Sequence, residues 1–257
     1  VFSNDEKQIL IANNSNQIFR HSFTADYFLY DTKSQKISGF LGQVQEPTFS
    51  PDGTKIAFAK TNDLYIYDIA SKNTTRVTND GVKNAVINGI TDWVYEEEFA
   101  FVRAFDWSTD SKKLAYIRFD ESEVPQFSMD MYKKDLYPTS ETFKYPKAGE
   151  KNALVSLHIY NLNANISQPI NLGNYSDFYI ARMKWTNDAN LVSVQVLNRH
   201  QDNLDLIFVD ATTANAKVVL NEKDKAYVDV TDNLTFLKDN SFIWTSEKDG
   251  YNHIYLY

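Results

Sequence analysis

Three consecutive glutamates, Glu96, Glu97 and Glu98, stand in the run TDWVYEEEFA. Neighbouring side chains on a helix point about 100° apart, so Glu97 and Glu98 can flank one small cation from two sides. A primary ammonium, with three donors and no acceptor, suits such a pair. Most acidic runs are simply solvated helix faces. This one is bracketed by Trp93, Val94, Tyr95, Phe99 and Phe101, so some of its carboxylates must lie against packed surface, where clustered anions need a compensating cation. Asp92 is placed to cap the helix that carries them. Arg20, in IFRHSFTADY, has a planar fork able to pair with a carboxylate or hold a peptide carbonyl.

Other chemistries find little support. His21, His158, His200 and His253 form no metal-ligand spacing and read as structural. The chain has no cysteine, which removes disulfides, thiolate catalysis and Cys-type zinc sites. None of its 8 glycines frames a serine as Gly-x-Ser-x-Gly, so no nucleophile elbow is present and the chain is not expected to cut anything by itself. No cofactor and no metal is called for. A net charge of −8 argues against a nucleic-acid partner, which would need a basic stripe, and favours cationic guests. No apolar run approaches the roughly 18 residues needed to cross a bilayer, and Val1 follows no leader-like segment, so the chain as given is expected to be soluble.

The elements that must position these residues are strands. Aromatic residues make up 14% of the chain, a composition that suits pleated surfaces, and the 43% hydrophobic content can fill a large core. An aromatic-small-polar-Asp turn recurs at Phe2-Ser3-Asn4-Asp5, Phe49-Ser50-Pro51-Asp52-Gly53, Trp107-Ser108-Thr109-Asp110, Trp185-Thr186-Asn187-Asp188 and Phe236-Leu237-Lys238-Asp239-Asn240. Each turn precedes an apolar strand, and a second alternating strand follows: YFLYD (27–31), LYIYD (64–68), LHIYN (157–161), LIFVD (206–210) and HIYLY (253–257). A unit of this size cannot bury both faces alone and must stack on its neighbours around an axis. The expected fold is therefore all-β: a β-propeller segment of about five four-stranded blades, with one short helix carrying the glutamates. The turns are spaced by 47, 58, 78 and 51 residues, so extra chain lies in the second and third intervals, which hold TDWVYEEEFA and the acidic segment 120–152. Residues 1–257 read as a single propeller segment, incomplete at both ends, since open strand edges are normally paired or covered.

Four stretches, FRHSFTADYFLYD (19–31), NGITDWVYEEEFA (88–100), FDESEVPQF (119–127) and TFKYPKAGEKN (142–152), closely resemble the dipeptidyl peptidase IV family, and the similarity runs through nearly the whole chain. In that family an eight-bladed N-terminal propeller caps an α/β-hydrolase domain, which removes dipeptides from peptides with Pro or Ala second. The resemblance implies that the hydrolase domain and its catalytic triad lie outside this chain. It puts binding of the substrate's amino group on Glu97 and Glu98, with Arg20 assisting near the second residue's carbonyl, and leaves Glu96 a structural role. Expected partners are peptides with a free amino terminus, the protein's own C-terminal hydrolase domain and a second copy, for which 162–180 is a candidate arm. The family's habit is extracytoplasmic, and the cysteine-free composition suits a bacterial periplasm. Two other readings stay open: a non-catalytic propeller serving as a protein-interaction module, and a relative that releases tripeptides.

Overall fold

The computed structural model describes residues 1–257, and every repeat identified in the sequence forms a strand pair. The turn chemistry explains why. In the first three repeats the serine hydroxyl donates to the aspartate two residues on, at 2.8, 2.6 and 2.7 Å for Ser3, Ser50 and Ser108. The same oxygen accepts the backbone N–H of the residue that opens the next strand, Gln8, Lys55 or Lys113, at 2.9–3.0 Å. The three serines are buried, so each hydroxyl satisfies a backbone donor that has no water to turn to. Thr186 and Asp239 make abbreviated versions of the same turn.

Five successive antiparallel sheets result. The first holds Gln8–Gln17, Phe23–Asp31 and the leading part of Lys36–Phe49; the second holds the remainder of Lys36–Phe49 with Lys55–Lys60, Asp63–Asp68 and Thr74–Arg76. The fourth contains Phe178–Trp185, Leu191–Asn198, Asn203–Asp210 and Ala216–Lys223, and the fifth Thr235–Phe236, Phe242–Ser246 and His253–Leu256. The chain forms the expected all-β segment of about five blades, though not every sheet holds four strands. The first and fifth sheets have three strands each, and the 14-residue strand Lys36–Phe49 bends at Gln43 and Glu46, both in the left-handed region, joining the first two sheets into one six-stranded ladder. The five sheets do not close into a ring within these residues.

The third sheet carries the departure that matters. Val86–Asn88 and Phe105–Trp107 pair with successive parts of the same strand, Lys113–Asp120, and Leu154–Asn161 and Ile166–Ile170 complete the sheet. One strand position is thus split, and residues 89–104 loop out from its middle. The excursion leaves at Gly89 and returns at Ala104, whose N–H donates to the Gly89 carbonyl at 2.9 Å. Gly89 has φ +73°, and a Cβ there would sit 2.4 Å from the Leu64 side chain, so this exit requires glycine. A second excursion forms the hairpin Gln126–Met131 with Thr139–Lys144, which stands outside the five sheets. Residues 162–180, the expected arm, are not an excursion: they include the edge strand Ile166–Ile170 and enter the fourth sheet at Phe178.

Apolar side chains form one continuous core from the second sheet to the fifth, including Leu64, Phe105, Phe119, Leu157, Ile180 and Trp244. A smaller cluster around Leu10, Leu29, Leu41 and Ile56 joins the first sheet to the second.

Candidate amino-group anchor

The helix Trp93–Glu98 lies inside the first excursion, and Asp92 caps it by accepting the Tyr95 N–H at 3.0 Å. At six residues it is too short to be stable alone, and its side chains fix it to three parts of the molecule. Trp93 packs on Tyr145, beyond the hairpin, with ring centroids 4.3 Å apart. Tyr95 is fully buried against Phe99, Phe101, Phe119 and Tyr179, and its hydroxyl accepts the backbone N–H of Ile180 in the fourth sheet at 3.0 Å. Burial pushes the Tyr95 hydroxyl well above the ordinary tyrosine range, so it stays protonated.

The three glutamates then separate by environment. Glu96 is 1% exposed, and its Oε1 accepts the backbone N–H groups of His21 at 2.5 Å and Ser22 at 2.9 Å. It therefore staples the turn that carries Arg20 to the helix. Glu97 is partly buried and takes the Arg20 Nε on both oxygens, at 2.8 and 3.1 Å. Neither Nη of Arg20 makes a hydrogen bond, which leaves donors facing outward on a side chain that is 70% exposed. Glu98, on the last turn, is exposed and makes no hydrogen bond or ion pair.

The structure thus brings Arg20 and Glu97 together, while Glu98, the next residue of the same helix, makes no ion pair with Arg20. Chemically this is a small dipolar site. Carboxylates offer acceptors to a cation, and the guanidinium edge offers donors to a carbonyl.

Sequence reasoning overlooked a second acidic pair at the same helix. Asp92 and Glu121 are each 5% exposed. Burial pushes Asp92 up to about 6 and Glu121 up to about 7, the latter raised further by Asp92 and opposed by Lys144. Glu121 sits in FDESEVPQF, where three acids in five residues look like a solvated loop. The apolar neighbours Phe119 and Val124 were the available sign of burial.

The comparisons with known proteins agree with this architecture. The family model described as the dipeptidyl peptidase IV (DPP IV) N-terminal region matches residues 3–257. The chain belongs to this family. Among curated relatives it is 35% identical to dipeptidyl aminopeptidase B of Saccharomyces cerevisiae, covering 98% of this chain and 33% of that protein. It is 32% identical to a probable dipeptidyl peptidase 4 of Aspergillus flavus, covering 98% of this chain and 35% of the relative. Among solved structures, dipeptidyl peptidase 4 of Porphyromonas gingivalis superposes with a TM-score of 0.95 at 40% identity, over 100% of this chain and 37% of that one. A putative dipeptidyl aminopeptidase IV of Bacteroides ovatus gives 0.78 at 25% identity, over 98% of this chain and 34% of that one. The chain therefore spans about a third of the length of the relatives it matches.

Proposed function

We propose that this segment selects substrates for a dipeptidyl peptidase IV-like serine exopeptidase by binding the free amino terminus of peptides. Glu97 and Glu98 take the ammonium, and Arg20, held by Glu97, offers its free Nη donors to the carbonyl of the second residue. The observation that carries this reading is the Arg20–Glu97 pair itself. It places a carboxylate and an unsatisfied guanidinium edge side by side, with a second, unpaired carboxylate next in sequence. Family membership supports it, since the relatives' names describe dipeptidyl peptidases.

An anchor fixed at a set distance from a nucleophile acts as a ruler. Only a peptide whose amino terminus lies two residues upstream of the scissile bond is held for attack, and a blocked terminus leaves the carboxylates unpaired. The nucleophile and its partners belong to a hydrolase domain outside this chain, and the expected products are X-Pro and X-Ala dipeptides. Glu97→Gln and Glu98→Gln in the full-length protein test this. Each is expected to lower kcat/KM for dipeptide release by about 100-fold or more, the loss of a charge-assisted contact in a partly desolvated site. Unchanged activity in both variants would overturn it.

A periplasmic location and pairing with a second copy belong to the same proposal. For pairing, the hairpin 126–144 replaces 162–180 as the surface to test, because its tip exposes Tyr132, Leu136 and Tyr137. Cell fractionation and sedimentation of the full-length protein check the two points.

A further inference from the structure

A cavity of about 510 Å³, within the range of small-molecule sites, opens beside the anchor but is not part of it. Phe19, Trp93 and Phe143 supply aromatic wall, and Asp92, Glu121 and Lys144 supply charge, whereas Arg20, Glu96, Glu97 and Glu98 do not line it.

The decisive residue is Glu121. Its backbone is fixed on both sides, the N–H donating to Ala85 at 2.8 Å and the carbonyl accepting from Val124 at 3.0 Å. The residue is 5% exposed and lines the cavity, and its carboxylate receives no hydrogen bond from the protein. The neighbouring buried acid, Asp92, uses Oδ1 to cap the helix. The nearest base does not fill the gap, because the Lys144 ammonium is taken by the carbonyls of Ser122 and Val124 at 3.0 and 2.7 Å. Two buried carboxyls therefore face one lysine that donates to neither. A poorly hydrated carboxylate with no protein donor is disfavoured as the anion, and a charged donor in the cavity would relieve it. Aromatic faces attract cations as well. No set of three acidic, histidine or cysteine side chains converges to hold a metal ion, which leaves an organic cation.

We propose that this cavity binds a protonated organic amine with an apolar or aromatic body, its ammonium donating to Glu121 and its body lying against the wall formed by Phe19, Trp93 and Phe143. The inference does not depend on the role given to Glu97 and Glu98. Burial raises Glu121 to about 7, with Asp92 and Asp120 adding to the effect and Lys144 opposing it, and Lys83 and Glu141 also face the cavity. The carboxylate is ionised by pH 8, and the test is run there.

Phenethylammonium chloride is titrated calorimetrically into the full-length protein, with phenethyl alcohol as the uncharged probe of the same shape. The expected result is an amine site that persists in the Glu97→Gln/Glu98→Gln double variant and weakens about tenfold or more in Glu121→Gln, as loss of a charge-assisted hydrogen bond requires. The alcohol is expected to bind the unaltered protein about tenfold more weakly than the amine or worse. No amine binding, equal binding of the two probes, affinity unchanged by Glu121→Gln, or loss of the site in the double variant would each overturn the proposal. The probe comparison is repeated in the Glu97→Gln/Glu98→Gln double variant, where the anchor glutamates cannot supply the preference for the amine, and there too the alcohol must bind more weakly.

Discussion

The guanidinium of Arg20 and the carboxylate of Glu97 meet at 2.8 Å across 77 residues of chain, one from a turn of the first sheet and the other from an excursion of the third. With the Arg20 side chain 70% exposed, the pair contributes little to stability, about 0–1 kcal/mol. Its value lies in aiming the Nη donors. Arg20→Lys replaces a planar fork with one compact ammonium, which cannot hold Glu97 and a peptide carbonyl in the same geometry. The variant is expected to melt within a few degrees of the parent while kcat/KM for dipeptide release falls by about tenfold or more. Steady-state kinetics beside a thermal melt decides it.

Glu96 should behave differently from its two neighbours. Glu96→Ala removes the acceptor of two backbone donors, one of them fully buried, at a cost of about 2–4 kcal/mol, and frees the turn that holds Arg20. Glu96→Gln keeps an oxygen in place and should cost about 1 kcal/mol. Hydrogen exchange at His21 and Ser22 is expected to accelerate strongly in the alanine variant and weakly in the glutamine one; equal protection in both would remove the staple.

Tyr95→Phe deletes one oxygen from the core and leaves the Ile180 N–H without a partner. A cost of about 1–3 kcal/mol is expected, read as a roughly 5- to 150-fold faster exchange of the Ile180 amide.

Stability should carry a pH signature from Glu121. A carboxyl whose folded-state value rises from 4.5 to about 7 takes up a proton in the folded state before the unfolded one, so its burial costs stability at pH 8 and that cost fades as pH falls toward 5. The cost is at most about 3 kcal/mol. Glu121→Gln removes it, and the variant is expected to be the more stable protein at pH 8, with the difference shrinking by pH 5. Asp92, raised to about 6, shifts in the same direction, and because its charge opposes that of Glu121 the substitution relieves it too, adding to the difference at pH 8. Urea unfolding at the two pH values measures the effect.

What could be read from sequence was local. In the first three repeats the serine and aspartate sit two residues apart and complete their turn with the strand that immediately follows, so the turn and the start of that strand were visible without the fold. The helix cap at Asp92 was readable for the same reason. Hidden were the relations that only stacking creates. Glu96 meets His21 and Ser22 from 75 and 74 residues away, and the bend that merges the first two sheets depends on left-handed Gln43 and Glu46, residue types that do not advertise it. Glu121 deceived because its neighbours Asp120, Ser122 and Glu123 are polar, while burial is set by the chain folding over it.

The split strand position in the third sheet separates scaffold from reach. Because the chain leaves at Gly89 and rejoins at Ala104 through a bond between those two residues, the sheet holds its register whatever length of chain hangs between them. Under the proposed role, release of three residues in place of two requires the anchor to withdraw by one extended residue, about 3.5 Å. Little more than two residues of helical rise covers that distance. A short insertion or deletion between 90 and 103 that resets the length of the product must also re-seat Tyr95 against Ile180 and Glu96 against His21 and Ser22, so a change of specificity here is confined to the excursion and the two sheets its helix touches.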